Sequence, residues 1–194
     1  MRLLRHLPTA GRPGEFNGSR DVDIHEAWRQ PPFPKDEAMK ATLSSLQSDP
    51  PSRVFSSSLR RAQQTASHVL TESKLKREVT LEPLFAEMNF GAWEGLTWSE
   101  IAERFPIESA LWLETWLKSA PPGGETLAQV EIRIKKALCH WTPKNNDLIV
   151  CHGGIIKIFL ALESGNLELL RTQIDHHSIY HVDIDRIKPE LLLF

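Results

Sequence analysis

The sequence predicts an α/β fold, and three observations lead there. Short apolar or β-branched runs recur at Leu3 and Leu4, Val54 and Phe55, Val79 to Phe85, and Leu148 to Cys151. Most are followed by segments whose apolar residues repeat at helical spacing, the alternation from which helix-covered sheets are built. The stretches rich in Pro and Gly, residues 8–34 and 119–125, fall between such elements and read as loops.

The first strand precedes Arg5 and His6. From Leu59 the positions Leu59, Ala62, Ala66, Val69 and Leu70 keep a helical period, so a helix runs to about Ser73, with Ser57 or Ser58 as its expected cap. Thr97 to Glu100 has the form of a capping box, and Thr126 to Gln129 repeats it before Leu127, Val130, Ile134, Leu138 and Trp141. Gly153 to Leu162 reads as a helix directly after the apolar strand. Ser178 to Asp185 alternates like a late strand, and Leu191 to Phe194 suggests another.

The chain has 194 residues, 41% of them hydrophobic and 25% charged, with 10 Gly and 13 Pro, so disordered and low-complexity classes are disfavoured. No repeat or linker divides it, and one domain over residues 1–194 is expected. A net charge of -2 argues against a nucleic-acid or anionic-membrane binder, so any positive site must be local. No apolar run approaches the ~20 residues of a membrane span, and the start lacks the apolar core of a signal peptide. A cytoplasmic protein is expected. Cys139 and Cys151 are too few for a disulfide framework.

Chemistry concentrates at predicted strand ends. His6 and His152 would both stand at the carboxyl rim of the sheet, where open α/β folds bind ligands. One could act as nucleophile and the other as proton donor or charge stabiliser, although either could merely cap its strand. The segment Ser57-Ser-Leu-Arg60-Arg61 places hydroxyls and two arginines at a helix start, a physical description of a phosphate pocket in which only one arginine can face inward. Glu87 and Glu94 lie among aromatics, where a carboxyl group can be tuned to act as a general acid. His176, His177 and His181 have metal-like spacing, but no carboxylate or Cys pattern completes a site, and they are read as a surface cluster. Trp93, Trp98, Trp112 and Trp116 are read mainly as packing, with one or two available to line a leaving-group pocket.

Arg5-His6, Ser57 to Ala66, Glu87 to Gly95, Pro122 to Thr126 and Val150 to Gly154 together resemble, in order, the motifs of the histidine phosphatase superfamily, of the phosphoglycerate mutase-like fold. The opening Arg5-His6-Leu-Pro8-Thr9, the segment Pro13 to Val22 and the Pro-Gly-Gly-Glu-Thr element look most like alpha-ribazole phosphatases of the cobalamin pathway. The resemblance implies a three-layer αβα sandwich with a mixed, mostly parallel sheet. It also implies His6 as the nucleophile that becomes phosphohistidine, Arg5 and Arg61 as phosphate ligands, His152 as the second active-site histidine and Glu87 as the acid. Gly153 and Asn17 are candidate substrate ligands. Leu7 stands where the family usually has glycine.

The expected activity is hydrolysis of a small phosphomonoester, preferably alpha-ribazole 5'-phosphate, without metal or other cofactor, because two arginines and a histidine cation can supply the positive charge. The expected partner is the substrate alone, with no nucleic acid and no membrane, and a homodimer is compatible. Alternatives are a broad-specificity phosphatase or phosphoglycerate mutase-like enzyme, and a non-catalytic phospho-ligand binding module.

Overall fold

The structure is a computed structural model that describes residues 1–30, 33–34 and 36–187. Its described strands are β1 (Arg2–Arg5), β2 (Val54–Ser56), β3 (Val79–Leu81), β4 (Leu148–Cys151) and β5 (Ile179–His181). They form one sheet in the order β3-β2-β4-β1-β5, in which the first four run parallel and β5 is antiparallel to β1. The helices are α1 (Glu37–Ser48), α2 (Arg60–Glu72), α3 (Trp98–Arg104), α4 (Pro106–Thr115), α5 (Leu127–Trp141) and α6 (Gly153–Ser164).

Successive side chains of a strand point to opposite faces, and both faces here are covered, so the central strands can be apolar throughout. Leu3, Phe55 and Ile149 are neighbours in register and pack with Val130 and Ile134 of α5 and Ile155 and Phe159 of α6. Leu4, Val54 and Val150 point the other way, against Met39 and Leu46 of α1 and Ala62, Ala66 and Val69 of α2. The result is the expected three-layer sandwich.

Several elements differ from the sequence reading. The run Val79 to Phe85 is a strand only to Leu81, because Pro83 lacks the N–H that a ladder needs and opens a 3-10 turn, Pro83–Phe85. Ser178 to Asp185 is likewise strand only over Ile179–His181; the Asp183 side chain accepts from Asp185 N–H and starts another turn. The expected strand at Leu191 to Phe194 lies outside the described residues. Neither Ser57 nor Ser58 caps α2. Its N-cap is Leu59, and the Arg60 N–H donates at 2.6 Å to Asp21 Oδ1, which comes from the long loop after β1. Ser57 Oγ is engaged elsewhere, with His152. The capping boxes at Thr97 and Thr126 both form.

The ladder continues one step past the parallel strands: His6 N–H donates to Cys151 O at 3.0 Å and Ser57 N–H to Val150 O at 2.9 Å. His6, Ser57 and His152 therefore leave the sheet side by side at its carboxyl edge. The loop after β1 folds over that edge, tied down by isolated bridges Thr9 to Ile24 and Glu15 to Thr97.

Candidate active site

His6 and His152, 146 positions apart in sequence, stand with ring centroids 5.1 Å apart. The His6 ring pairs through Nδ1 with its neighbour's carbonyl, Leu7 O, at 2.6 Å. A carbonyl can only accept, so Nδ1 carries the proton and Nε2 keeps a lone pair. Burial, with the Arg61 cation next in weight, holds the His6 ring well below the usual imidazole range. His6 is thus neutral near pH 7 and has the tautomer of a nucleophile.

His152 is fully buried and lies behind His6 rather than on the cavity wall. Arg61 Nε donates to its Nδ1 at 3.2 Å, which places the ring proton on Nε2, 2.8 Å from Ser57 Oγ. Burial and Arg61 again push its pKa well down. The sequence reading gives the second ring its positive charge beside an anionic phosphoryl group. In the protein alone both rings are held neutral, because desolvation and the guanidinium groups of Arg61 and Arg5 act together on each.

Arg61 is 1% exposed and Arg60 is exposed, so the inward arginine is Arg61. Its Nη1 donates to Arg20 O at 2.7 Å and its Nη2 to Gly18 O at 2.6 Å, while Arg60 pairs with Asp21 and Asp23. Among the described residues no carboxylate forms an ion pair with Arg61. Arg5 donates through Nη1 to Ile174 O, and its Nε is buried with no hydrogen-bond partner among the described residues. Burial lowers the pKa of both guanidinium groups.

The two glutamates part company. Glu87 borders the cavity, and its carboxylate accepts from Met88 N–H at 3.0 Å and from Gly154 N–H at 3.1 Å, at the start of α6. Glu94 instead accepts from Ser19 N–H, Ser19 Oγ and Phe90 N–H, so it staples the loop after β1 to the segment behind Glu87. The staple depends on Gly18, which has φ +48° and where a Cβ would overlap the Glu94 carboxylate.

Arg5, His6, Arg61 and Glu87 line one cavity of about 680 Å³, with Asn17, Phe16 and Phe90 on the wall. Asn17 gives its amide N–H to Thr9 Oγ1 at 3.2 Å and leaves a buried Oδ1 without a partner among the described residues. Gly153 opens α6 beside Arg5, and its N–H makes no hydrogen bond to a described residue. Helix N-termini of this kind attract anions. Leu7, in place of the family's glycine, is fully buried in the core, its N–H on Thr65 Oγ1 at 2.9 Å, and it has no positive φ that would call for glycine.

His176 was read as part of a surface cluster and is instead a site residue. It lines the cavity, its ring lies 5.2 Å from that of His6, and its Nδ1 donates to His6 O at 2.9 Å. Burial lowers its pKa to about 4. The three-histidine spacing does not converge: His177 turns to Asp36 at 2.9 Å and His181 is exposed on β5. Among the described residues no group of three His, Cys, Asp or Glu side chains is arranged to hold a metal ion. Nor, among them, is any helix long and apolar enough to cross a membrane.

Proteins of known sequence and structure resemble this chain. A bifunctional protein of Mycobacterium tuberculosis is 36% identical over 131 residues, 65% of this chain and 35% of that protein, so the chain spans about a third of the length of the first curated relatives it matches. The crystal structure of the alpha-ribazole phosphatase from Shigella flexneri superposes with a TM-score of 0.71 at 26% identity, covering 92% of this chain and 88% of that one. The mycobacterial glucosyl-3-phosphoglycerate phosphatase, solved with VO3, gives 0.71 at 25% identity over 92% and 90%. The model of the histidine phosphatase superfamily, branch 1, matches residues 3–194, and the chain belongs to that superfamily.

Proposed function

We propose that this chain hydrolyses phosphomonoesters through a phosphohistidine. The observation that carries the reading is His6: a neutral imidazole, its Nδ1 proton fixed by Leu7 O, sharing a cavity with Arg5, Arg61 and Glu87. His6 Nε2 attacks phosphorus and the bond from phosphorus to the ester oxygen breaks. Glu87, in its acid form, gives that oxygen its proton. In the second step Glu87 takes a proton from water, the hydroxide attacks phosphorus, and the bond to Nε2 breaks to release phosphate. Arg5 and Arg61 hold the non-bridging oxygens, since phosphoryl transfer is chiefly positioning and charge stabilisation. The dianionic group, once bound, offsets the two cations and favours a proton on His152.

Alpha-ribazole 5'-phosphate is the preferred substrate. The ordered motifs and the likeness to the Shigella enzyme support it. A second reading, broader phosphomonoester hydrolysis, is favoured by one observation: structures named for alpha-ribazole and for glucosyl-3-phosphoglycerate phosphatases resemble this chain equally well.

Trapping by an alkaline, denaturing quench during turnover of labelled substrate tests the mechanism. Label is expected on His6 in a linkage that is acid-labile and base-stable, and His6→Ala is expected to lose both label and turnover. Label on His152, or full turnover by His6→Ala, refutes it. Values of kcat/KM for alpha-ribazole 5'-phosphate and 3-phosphoglycerate separate the substrate readings.

A further inference from the structure

The segment that carries His176 is gripped on two sides. Ile174 O accepts from the Arg5 side chain and His177 N–H donates to Arg5 O at 3.0 Å, which ties it to the end of β1. From the other side Thr42 of α1 gives its hydroxyl to His177 O at 2.6 Å, and the His177 ring pairs at 2.9 Å with Asp36, the N-cap of α1. His176, held between these ties, stands on the wall of the cavity with its ring 5.2 Å from that of His6. Its Nδ1 donates to His6 O, so the ring proton is on Nδ1 and Nε2 carries a lone pair. Among the described residues Nε2 has no hydrogen-bond partner, and it is the atom that the ring leaves for a ligand of the cavity.

We infer that His176 is a ligand of the phosphoryl group beside Arg5 and Arg61, and that the complex holds one proton between His176 Nε2 and a non-bridging oxygen. The inference rests on the phosphohistidine reading for the position of that group and adds to it a proton that the arginines do not supply. Without the proton two acceptors would face each other, because a phosphoryl dianion presents only acceptor oxygens and Nε2 is an acceptor too. With it the contact becomes a charge-assisted hydrogen bond. The proton comes from solvent when the dianion binds, or with the ester when that is already a monoanion, below its second pKa of about 6. No covalent bond changes in this step.

The groups around His176 make the proton arrive with the anion rather than before it. Arg5 and His6 at the end of β1, Arg61 of α2 and Glu87 share the cavity with the ring, and Asp175 and His177 flank it on its own segment. Arg12 and Glu15, also on the cavity wall, pair with each other, and His25 there accepts from Ala27 N–H. In the protein alone burial, and Arg5 after it, hold His176 at about 4. A bound dianion acts in the opposite direction on both counts, since it offsets the Arg5 charge and itself favours the protonated ring. His152 cannot make this contact, because it lies behind His6 and both of its ring nitrogens are engaged, with Arg61 and with Ser57.

Two variants separate the ligand from the tether. His176→Asn keeps an amide donor where Nδ1 stands, so the bond to His6 O survives, and removes Nε2; His176→Leu removes both. Inorganic phosphate is the probe, titrated calorimetrically at pH 7 in two buffers of different ionisation heat, so that the protons taken up per phosphate are counted. The wild type is expected to take up close to one proton more than His176→Asn, since contributions from phosphate itself, Glu87 and His152 are common to both. His176→Asn is also expected to bind phosphate about tenfold more weakly, a gap that narrows at alkaline pH, and to lose turnover of p-nitrophenyl phosphate mainly through KM. Equal proton counts in the two proteins, or an affinity gap that does not change with pH, overturn the inference. So does a His176→Asn protein that matches wild type while His176→Leu alone is weak, because the tether would then be the whole role of His176. Phosphate binding with the expected proton count but no label on His6 during turnover leaves His176 in place and overturns the phosphatase reading instead.

Discussion

Gly154→Ala separates catalysis from stability at a single Cβ. At Gly154 a Cβ would overlap Glu87 Oε1 and stand 3.2 Å from the carboxyl carbon, so the end of the Glu87 side chain must move by about 1 Å. The group displaced is the tip of a flexible side chain, which keeps the folding cost low. The hydrogen bond from Gly154 N–H to Glu87 is worth about 1 kcal/mol, and replacing a helical glycine by alanine returns up to about 1 kcal/mol. Net stability should therefore change by less than about 1 kcal/mol. The catalytic cost differs, because a misplacement of about 1 Å in a reacting group can cost on the order of 100-fold. The loss should depend on the leaving group. Alkyl phosphates, which need a proton on the departing oxygen, should lose about 100-fold in kcat, whereas p-nitrophenyl phosphate, which departs as a stable anion, should lose less than about fivefold. Steady-state kinetics on both esters, with a thermal melt of the same preparation, reads all three quantities. Equal losses on the two esters would refute the assignment of the acid to Glu87. So would a large drop in melting temperature with no leaving-group dependence, since it would make the overlap a folding defect.

Three other outcomes are expected. Leu7→Ala, at a fully buried position, should destabilise the protein by about 2–5 kcal/mol in urea unfolding, and a loss below about 1 kcal/mol would show that Leu7 is not the core residue its packing indicates. Hydrolysis should persist in excess EDTA, because Arg5, Arg61 and the α6 N-terminus supply the positive charge; loss with EDTA and recovery with magnesium or zinc would overturn the mechanism. Stability should fall as pH drops below about 6.5, because the unfolded chain protonates His6, His152 and His176 there while the native rings, with lowered pKa values and His176 at about 4, do not. The melting temperature followed from about pH 7.5 to pH 5 should show this, with a shallower fall in His176→Asn, and a flat profile would refute it.

What could be read in the sequence followed from local rules. Thr97 and Thr126 announced their helices through capping boxes that need only a four-residue window. His6 and His152 could be paired because each follows an apolar strand, and parallel neighbours in one sheet end at one edge. Helix α1 went unread because only Met39, Thr42 and Leu46 are buried along its 12 residues, too sparse a stripe to declare a period. The cap of α2 escaped for a different reason: the acceptor, Asp21, is 39 residues upstream, beyond any local window. His176 was misjudged because its placement is a tertiary event. It requires β5 to run antiparallel to β1 and His177 to adopt φ +46°, so that the His177 N–H reaches Arg5 O while His176 turns to His6 O. No residue spacing encodes that turn.

Arg61 shows how the fold stores charge for this site. A guanidinium that is 1% exposed would ordinarily be matched by a carboxylate, because an unpaired buried ion is costly. Here its hydrogen-bond partners are two carbonyls and a histidine nitrogen, all of them neutral, and the carboxylates of Glu87, Asp21 and Glu94 offset its charge only from a distance. Arg5 repeats the arrangement with one carbonyl partner and an unpartnered Nε. Burial first, and then these two cations, depress the imidazole pKa values nearby, and a dianionic phosphoryl group would be drawn to the two guanidinium groups. The fold around the site is held by the buried apolar residues of β1 and β4 and by the helices packed on either face of the sheet. Replacing Arg61 by a neutral residue of similar size should accordingly cost far more in substrate affinity than in folding, since what is lost in the protein alone is hydrogen bonding and what is lost in the complex is a whole charge.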